Sequence, residues 1–386
     1  MKQKNILNSF AAICCVCLLF GCAGKQNNNS DSNKNETVCA YVFSGEEMLD
    51  VTSVKNQSKS GTCWSFATVS FLESELLRQG KGEYDLSEMF NVYYSYINKA
   101  VKKIRRHGNS AAGQGGQAHD VLNVIRDYGI VPESVYSGIP AGDSIHNHSK
   151  MSAALKDYLQ KIIDAEIIPE NWIDGYKAIL DSHLGVPPQT FDYNGNTYTP
   201  KEFAQSLINT DDYVELTSYV CYPFYEKVIL EVPDNWSNDL YYNLPIDEFM
   251  QVIDNSLQNG YTVAWDGDIS ETGFSHKTGV AIAPIEIVDN LFSEIREEYN
   301  VDDNLRQQTF DSRETTDDHL MHLVGTATDK NGKKYYIIKN SWGTQRNNYG
   351  GYLNMSEPFT RLKTVAIMVN KNAIPQNIAK KIGINN

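Results

Sequence analysis

The chain has 386 residues, 41% of them hydrophobic, and a formal net charge of −14. That length and apolar content allow a large core with room for two subdomains. The acidic balance repels phosphates and speaks against nucleic acid as a partner, while an aromatic content of 11% argues against wholesale disorder.

The chain opens with "MKQKNILNSFAAICCVCLLFGC". Lys2 and Lys4 make a basic start, and the apolar run from Phe10 to Phe20 is too short to span a bilayer comfortably, so residues 1–21 read as a signal peptide. Leu19-Phe20-Gly21-Cys22 resembles a bacterial lipobox, which implies cleavage before Cys22 and lipidation of its thiol. The expected location is the bacterial cell envelope, anchored to the bilayer and facing the periplasm or the cell surface. Residues 22–38, rich in Asn and Ser, read as a flexible tether. Cys14, Cys15 and Cys17 leave with the signal, so Cys39, Cys63 and Cys221 remain. Cys39 and Cys221 could pair and leave Cys63 free. No cysteine pair has the spacing of a zinc site, and no metal or cofactor is called for.

From Cys39 onward the pattern becomes that of a folded domain. "CWSFATVSFLESELL" carries apolar residues at helical spacing from Cys63 to Leu77, closed by Gly80. "DLSEMFNVYYSYINKAVKKI" predicts a second helix capped by Ser87, whose basic end reads as a solvated face. "GNSAAGQGGQAHDVLNVIRDYG" is a glycine-rich loop and a third helix ending at Gly129. Lacking GxxxxGK[ST], that loop does not read as a phosphate site. Residues 139–245 form an insertion of helical and turn-like pieces, with "DYNGNTYTP" as a strand-turn-strand. After Gly260, "YTVAWDGDI", "HLMHLVGTATD", "KKYYIIKNSW", "GYLNMS" and "VAIMVN" read as short strands. Helices followed by strands predict an α+β fold: a helical lobe over about 55–255, a strand-rich lobe over about 256–375, and a cleft between them.

Cys63 opens its helix, where unpaired N–H groups and the macrodipole favour a thiolate, the form of cysteine that acts as nucleophile. Most free cysteines are small buried hydrophobes, so a catalytic reading needs a base, a group to orient it and an oxyanion donor. The strand-rich half supplies His319 and His322, then Asn340 and Trp342 within "KNSWG". Gln57 lies six residues before the cysteine.

"QSKSGTCWSFA", "DHLMHLVG" and "KNSWG" together resemble the papain-family cysteine peptidases, in the family's order of glutamine, cysteine, histidine and asparagine. The nearer resemblance is to bleomycin hydrolase and bacterial aminopeptidase C, through "GGQAHDVLNVIRDYGIVPESVY", through "MVNKNAIPQNIAKKI", and through Ser60 where extracellular members carry a disulfide cysteine. The resemblance implies a papain-like two-lobed fold and hydrolysis of peptide or protein substrates through a thioester. Cys63 is then the nucleophile, His319 the base, Asn340 its orienter, and Gln57 an oxyanion donor together with the Cys63 N–H. His319 lies six residues before Gly325, the family spacing; His322 does not, and on a strand it points to the opposite face. Gly115 and Gly116 match the loop that binds the substrate strand, and Trp342 covers the histidine–asparagine contact. Asp266 and Asp268 fall near the cleft wall, as selectors of a basic group or as solvated turn acids.

In bleomycin hydrolase and aminopeptidase C a C-terminal tail restricts cleavage to short amino-terminal overhangs; here the resemblance stops at "GINN". The expectation is therefore an open cleft with endopeptidase activity, ahead of aminopeptidase activity imposed by the insertion. An acyl transferase or amidase with the same thioester chemistry, and a peptide-binding lipoprotein without turnover, are the alternatives.

Overall fold

A computed structural model describes residues 39–384; the signal segment, Cys22 and the tether lie outside the described residues. The chain runs through β1 (Phe43–Met48), α1 (Cys63–Arg78), α2 (Glu88–Arg105), α3 (Ala118–Tyr128), α4 (Ser149–Ile163), α5 (Trp172–Leu184), β2 (Phe191–Tyr193), β3 (Asn196–Tyr198) and α6 (Pro200–Leu207). It continues with β4 (Tyr213–Thr217), β5 (Lys227–Ile229), β6 (Leu240–Asn243), α7 (Ile246–Gln258), β7 (Val263–Gly267), β8 (Phe274–Ser275) and β9 (Val280–Ala281). The last elements are α8 (Asp303–Ser312), β10 (His319–Asp329), β11 (Lys334–Lys339), β12 (Tyr352–Ser356), α9 (Glu357–Lys363), β13 (Thr364–Asn370) and α10 (Gln376–Lys381).

Local chemistry sets the helix bounds. Ser87 caps α2 by accepting from the Phe90 N–H at 3.1 Å; Glu88 occupies the first turn and Lys102, Lys103 and Arg105 the last, each complementing the helix dipole. Asp120 closes the start of α3 by accepting from the Gln117 N–H at 3.1 Å, and Gly129 ends that helix at a φ of 93°. Trp64, Val69, Phe71 and Leu72 of α1 pack with Val92 and Tyr96 of α2 and Val121 of α3 in a helical core. Each such side chain contributes about 1.5–3 kcal/mol by leaving water, and Phe71→Ala would cost about 3–5 kcal/mol.

The second core lies under a mixed sheet of order β5-β6-β4-β13-β7-β10-β11-β12-β9-β8, with β1 added to β10. α7 and α10 cover it through Phe249, Ile253 and Ile378. The insertion divides between the two cores. Its helices α4, α5 and α6 bury Leu155, Leu180 and Phe203 against the helical lobe, whereas β4 and β6 extend the sheet beyond β13. α1 packs across β10, and Cys63, at the start of one, lines the same cavity as His319, at the start of the other. Among the described residues no helix is long and apolar enough to cross a membrane.

The pairing considered for Cys39 and Cys221 is not formed; both are free. Cys39 packs beside the Tyr41–Val280 cluster, whereas Cys221 is exposed on the turn after β4, its N–H held by Gln307 at 3.0 Å.

Candidate active site

A cavity of about 490 Å³ opens between the start of α1 and the start of β10, and Gln57, Cys63, Gly115, Gly116, His319 and Trp342 all line it. The sequence motifs that lie hundreds of residues apart thus meet at one place.

His319 is buried, and its Nε2 lies 2.9 Å from Asn340 Oδ1. The Asn340 amide is itself oriented: Oδ1 accepts from the Ser341 N–H at 2.7 Å, and Nδ2 lies 3.3 Å from His276 Nδ1. An oxygen that accepts a backbone N–H can only accept from the imidazole too, so the His319 proton sits on Nε2 and Nδ1 is the basic nitrogen. Trp342 packs over both rings, with centroids 5.1 Å from His319 and 4.9 Å from His276, and shields the contact from water. His276, in "FSHKTG", had no signal in the sequence as part of the site.

Gln57 is fixed by three bonds. Its N–H reaches Ser341 O at 2.8 Å, its Oε1 accepts from Ser341 Oγ at 2.6 Å, and its Nε2 donates to Ser60 O at 2.7 Å. The second Nε2 proton remains for the cavity. Ser60, where a disulfide cysteine would stand in extracellular papains, instead bonds Gln57 O and Thr62 Oγ1. Lys55 anchors the same loop by salt bridges of 3.3 Å to Glu73 and 2.7 Å to Glu88.

Cys63 is 8% exposed. Burial pushes its thiol up to about 12; the Leu320 N–H pulls the other way, and Asp266, Asp317 and Asp234 add to the rise. Burial also drives His319 down to about 4, against the Asn340 hydrogen bond. Each group taken alone is therefore neutral near pH 7, in contrast to the thiolate that the helix start suggests. The helix dipole is a modest effect; removal from water beside three carboxylates outweighs it.

His322 points the other way. Its Nδ1 meets Ser70 Oγ of α1 at 2.8 Å, and Lys339 Nζ donates to the same oxygen at 2.8 Å. Buried against Phe71, its ring is held well below the usual histidine range by burial and by Lys339. This is a packing position at the lobe interface.

The two aspartates expected as cleft selectors or solvated turn acids are neither solvated nor on the cavity lining. Asp266 is 3% and Asp268 1% exposed. Asp268 binds the Ser270 and Thr316 N–H groups at 2.8 and 3.0 Å, a local support for the loop before His319. The acids that line the cavity are Asp234, Asp317 and Asp318. Asp234 belongs to the insertion, where no cleft residue was expected. Its carboxylate lies over Gly115 so closely that any Cβ there would overlap it. Trp236 follows it and donates to Asp120 Oδ2 at 2.8 Å.

The Peptidase C1-like family model matches residues 18–385. The chain is 24% identical to Aminopeptidase G of Lactobacillus delbrueckii subsp. lactis, over 90% of this chain and 87% of that one. It is 24% identical to Aminopeptidase C of Streptococcus thermophilus, over 89% and 85%. The crystal structure of PepW from Lactobacillus rhamnosis superposes with a TM-score of 0.67 at 22% identity, covering 92% of this chain and 87% of that one. With a family model spanning nearly the whole chain and a papain-like two-lobed fold, the chain belongs to the Peptidase C1-like family and is a papain-like cysteine peptidase of the aminopeptidase C branch.

Proposed function

We propose that this peptidase cleaves peptide bonds through a thioester on Cys63 and works from the amino terminus of its substrates. Cys63 Sγ attacks the carbonyl carbon while its proton passes to His319 Nδ1. As the S–C bond forms, the electron pair of the carbonyl moves to its oxygen, leaving an oxyanion and an imidazolium. The oxyanion receives the Cys63 N–H and the free Gln57 Nε2 proton, a donor worth about 2.7–4 kcal/mol. The C–N bond then breaks as His319 gives its proton to the leaving nitrogen. Water attacks the thioester carbon, one proton returning through His319 to Sγ as the acid leaves. Asn340 holds the ring in the required tautomer throughout.

The observation that carries the amino-terminal reading is Asp234. The insertion lays this side chain over Gly115, where an extended substrate would continue past the first residues, and an overhang there must displace it. The names of the relatives, aminopeptidases C and G, agree. An open cleft would instead cut internally. Digestion of matched peptides with free and N-acetylated amino termini decides: strict need for the free terminus is expected, and efficient internal cleavage of the blocked peptide restores the endopeptidase reading. Cys63→Ala must abolish turnover in either case; undiminished hydrolysis by the folded variant would end the thioester mechanism.

We also propose anchoring through a lipid on Cys22, supported by the short apolar run and the Leu-Phe-Gly-Cys sequence. Metabolic labelling with palmitate should mark the wild type and not Cys22→Ala.

A further inference from the structure

A cavity of about 360 Å³ lies between α2, α4 and the loop that joins α2 to α3. Buried Tyr96, Leu155 and Leu159 give it an apolar floor, and Lys103 and Lys156 stand in its lining. The active-site cavity carries three aspartates, whereas none of the described residues lining this one is an acid. That is unusual in a chain where acids outnumber bases by 48 to 34.

Both lysines are able to take an anion. Lys103, at the basic end of α2, donates to Gly108 O at 2.9 Å and Ser110 O at 3.0 Å, which leaves one of its three protons. Lys156 is exposed and pairs with no side chain or carbonyl among the described residues. Two lining residues, Tyr96 and Ser152, also hold buried hydroxyls without a hydrogen-bond partner, a cost that an acceptor seated there would offset. An apolar floor with a few polar groups is the ordinary make-up of a small-molecule site.

The loop is shared with the active site. Gly115 and Gly116 line the cleft, while Ala112, Gly113 and Gln114 line this cavity. Gln114 Oε1 accepts from the Gly61 N–H at 2.7 Å, two residues before Cys63, and its carbonyl accepts from Trp64 Nε1 at 2.9 Å. Between these ties and those of Lys103, Ala111, Ala112 and Gly113 make no hydrogen bond among the described residues. The loop is fastened at both ends and loose where it borders the cavity.

We infer that this cavity binds a small monocarboxylate with an apolar body, and that its occupancy tightens substrate binding through the shared loop. The apolar part lies on Tyr96, Leu155 and Leu159, and the carboxylate takes charge-assisted hydrogen bonds from Lys103 and Lys156. A free amino acid would set its ammonium against the same two lysines. Two sources supply the remaining chemistry: a free aliphatic acid, or the carboxyl-terminal residue of a peptide, whose nitrogen is an uncharged amide. The bound carboxylate bridges α4 to Lys103, which already holds the loop at Gly108 and Ser110, and so restricts the segment that presents Gly115 and Gly116. The site does not depend on which end of a peptide the enzyme cuts.

Calorimetric titration of the full-length protein tests the site with octanoate and octanamide, N-acetyl-leucine and its amide, and acetate. At least one of the two larger acids should bind tenfold or more tighter than its own amide and than acetate. The tighter acid names the source, octanoate for a free aliphatic acid and N-acetyl-leucine for a peptide terminus. Lys156→Glu, at an exposed position, and Lys103→Gln should each weaken that acid at least fivefold and leave its amide unchanged. Equal affinity of both acids and their amides, or an affinity that survives both variants, overturns the site. At saturation the same acid should lower KM at least twofold, with kcat within twofold, on whichever of the free and N-acetylated peptides the enzyme cleaves. Binding that leaves KM unmoved or raises it overturns the coupling through the loop. Binding to a protein that hydrolyses neither peptide would count against the peptidase chemistry and not against the site.

Discussion

Two buried histidines, His319 at the start of β10 and His119 in α3, have nearly the same connectivity and opposite character. His319 meets an amide, Asn340 Oδ1, at 2.9 Å. His119, in α3, meets a carboxylate: its Nδ1 lies 2.7 Å from Glu215 Oε2, with Ser237 Oγ 3.0 Å from Nε2. Drawn as a diagram, Ser237, His119 and Glu215 form a serine–histidine–acid relay. Burial lowers His119, but the charge and hydrogen bond of Glu215, with Asp120 and Asp239 nearby, outweigh it and raise the ring to about 9. Burial lifts Glu215 as well; with three acids around one imidazole the proton belongs on the ring. Around His319 no carboxylate offsets burial, and the ring falls to about 4. Here the neutral orienter leaves His319 a base, whereas three acids together keep His119 a cation. The triad pattern alone does not distinguish them.

The largest effect that tests this contrast is removal of each ring. His319→Ala should lower kcat by roughly 10²–10⁴, the range of general acid–base assistance. His119→Gln should leave kcat within a few fold and show its loss in thermal unfolding, because it breaks an ion pair that ties α3 to β4. Similar kcat losses in the two folded variants would erase the distinction.

Asn340→Asp sharpens it by giving His319 the kind of neighbour that His119 has. A carboxylate at that distance raises a histidine pKa by about 1–3 pH units, so Nδ1 becomes available only at higher pH. With His319 near 4 in the wild type, kcat/KM should fall only on strong acidification. In Asn340→Asp the acid limb should move upward by about 1–3 pH units. A pH profile superimposable on wild type would show that the amide is not what keeps the ring neutral.

A smaller effect is expected at His276, which accepts from Asn340 Nδ2 at 3.3 Å. The bond is long, and one hydrogen bond contributes about 1 kcal/mol. His276→Ala should therefore lower kcat about fivefold with little change in KM, and His276→Gln, which retains an acceptor, should recover part of it. A loss in KM instead would make His276 a binding residue rather than a positioning one.

How far the sequence reaches follows from where each signal is stored. The start of α1, the Ser87 cap and strands β10 to β13 are local patterns, and periodicity with capping residues exposes them. The register of His319 against His322 is also local, since alternate faces of a strand fix it. Asp234 is different: it meets Gly115 across more than a hundred residues of chain, and nothing near "PDNWSND" announces the contact. His276 follows a two-residue strand too short for any period. Asp266 and Asp268 misled because acidic residues in a Gly-containing turn are ordinarily solvated. Here β7 runs between β10 and β13, and a central strand buries its ends. The sheet-extending half of the insertion was hidden for the same reason, because β4 pairs with β13 about 150 residues later.

The smallest effect concerns Ser237, the residue that would be the nucleophile if connectivity decided function. For Ser237 Oγ to attack, His119 Nε2 must take its proton. A ring held at about 9 carries protons on both nitrogens near pH 7, so Nε2 donates to Ser237 Oγ and towards Asp239 at 3.5 Å. The serine is an acceptor there, fixed beside an imidazolium, and its hydroxyl is no more nucleophilic than a surface serine. Its carbonyl takes a hydrogen bond from Lys102 at 2.6 Å, which holds the segment carrying Asp234 and Trp236 whatever the side chain does. Ser237→Ala should therefore change kcat/KM by less than about twofold and stability by no more than about 0.5 kcal/mol, as for ordinary part-exposed sites. A fluorophosphonate probe should leave Ser237 unlabelled in the wild type and in Cys63→Ala. Labelling at Ser237 that disappears in His119→Gln would show the ring acting as a base after all, and would remove the difference between the two histidines.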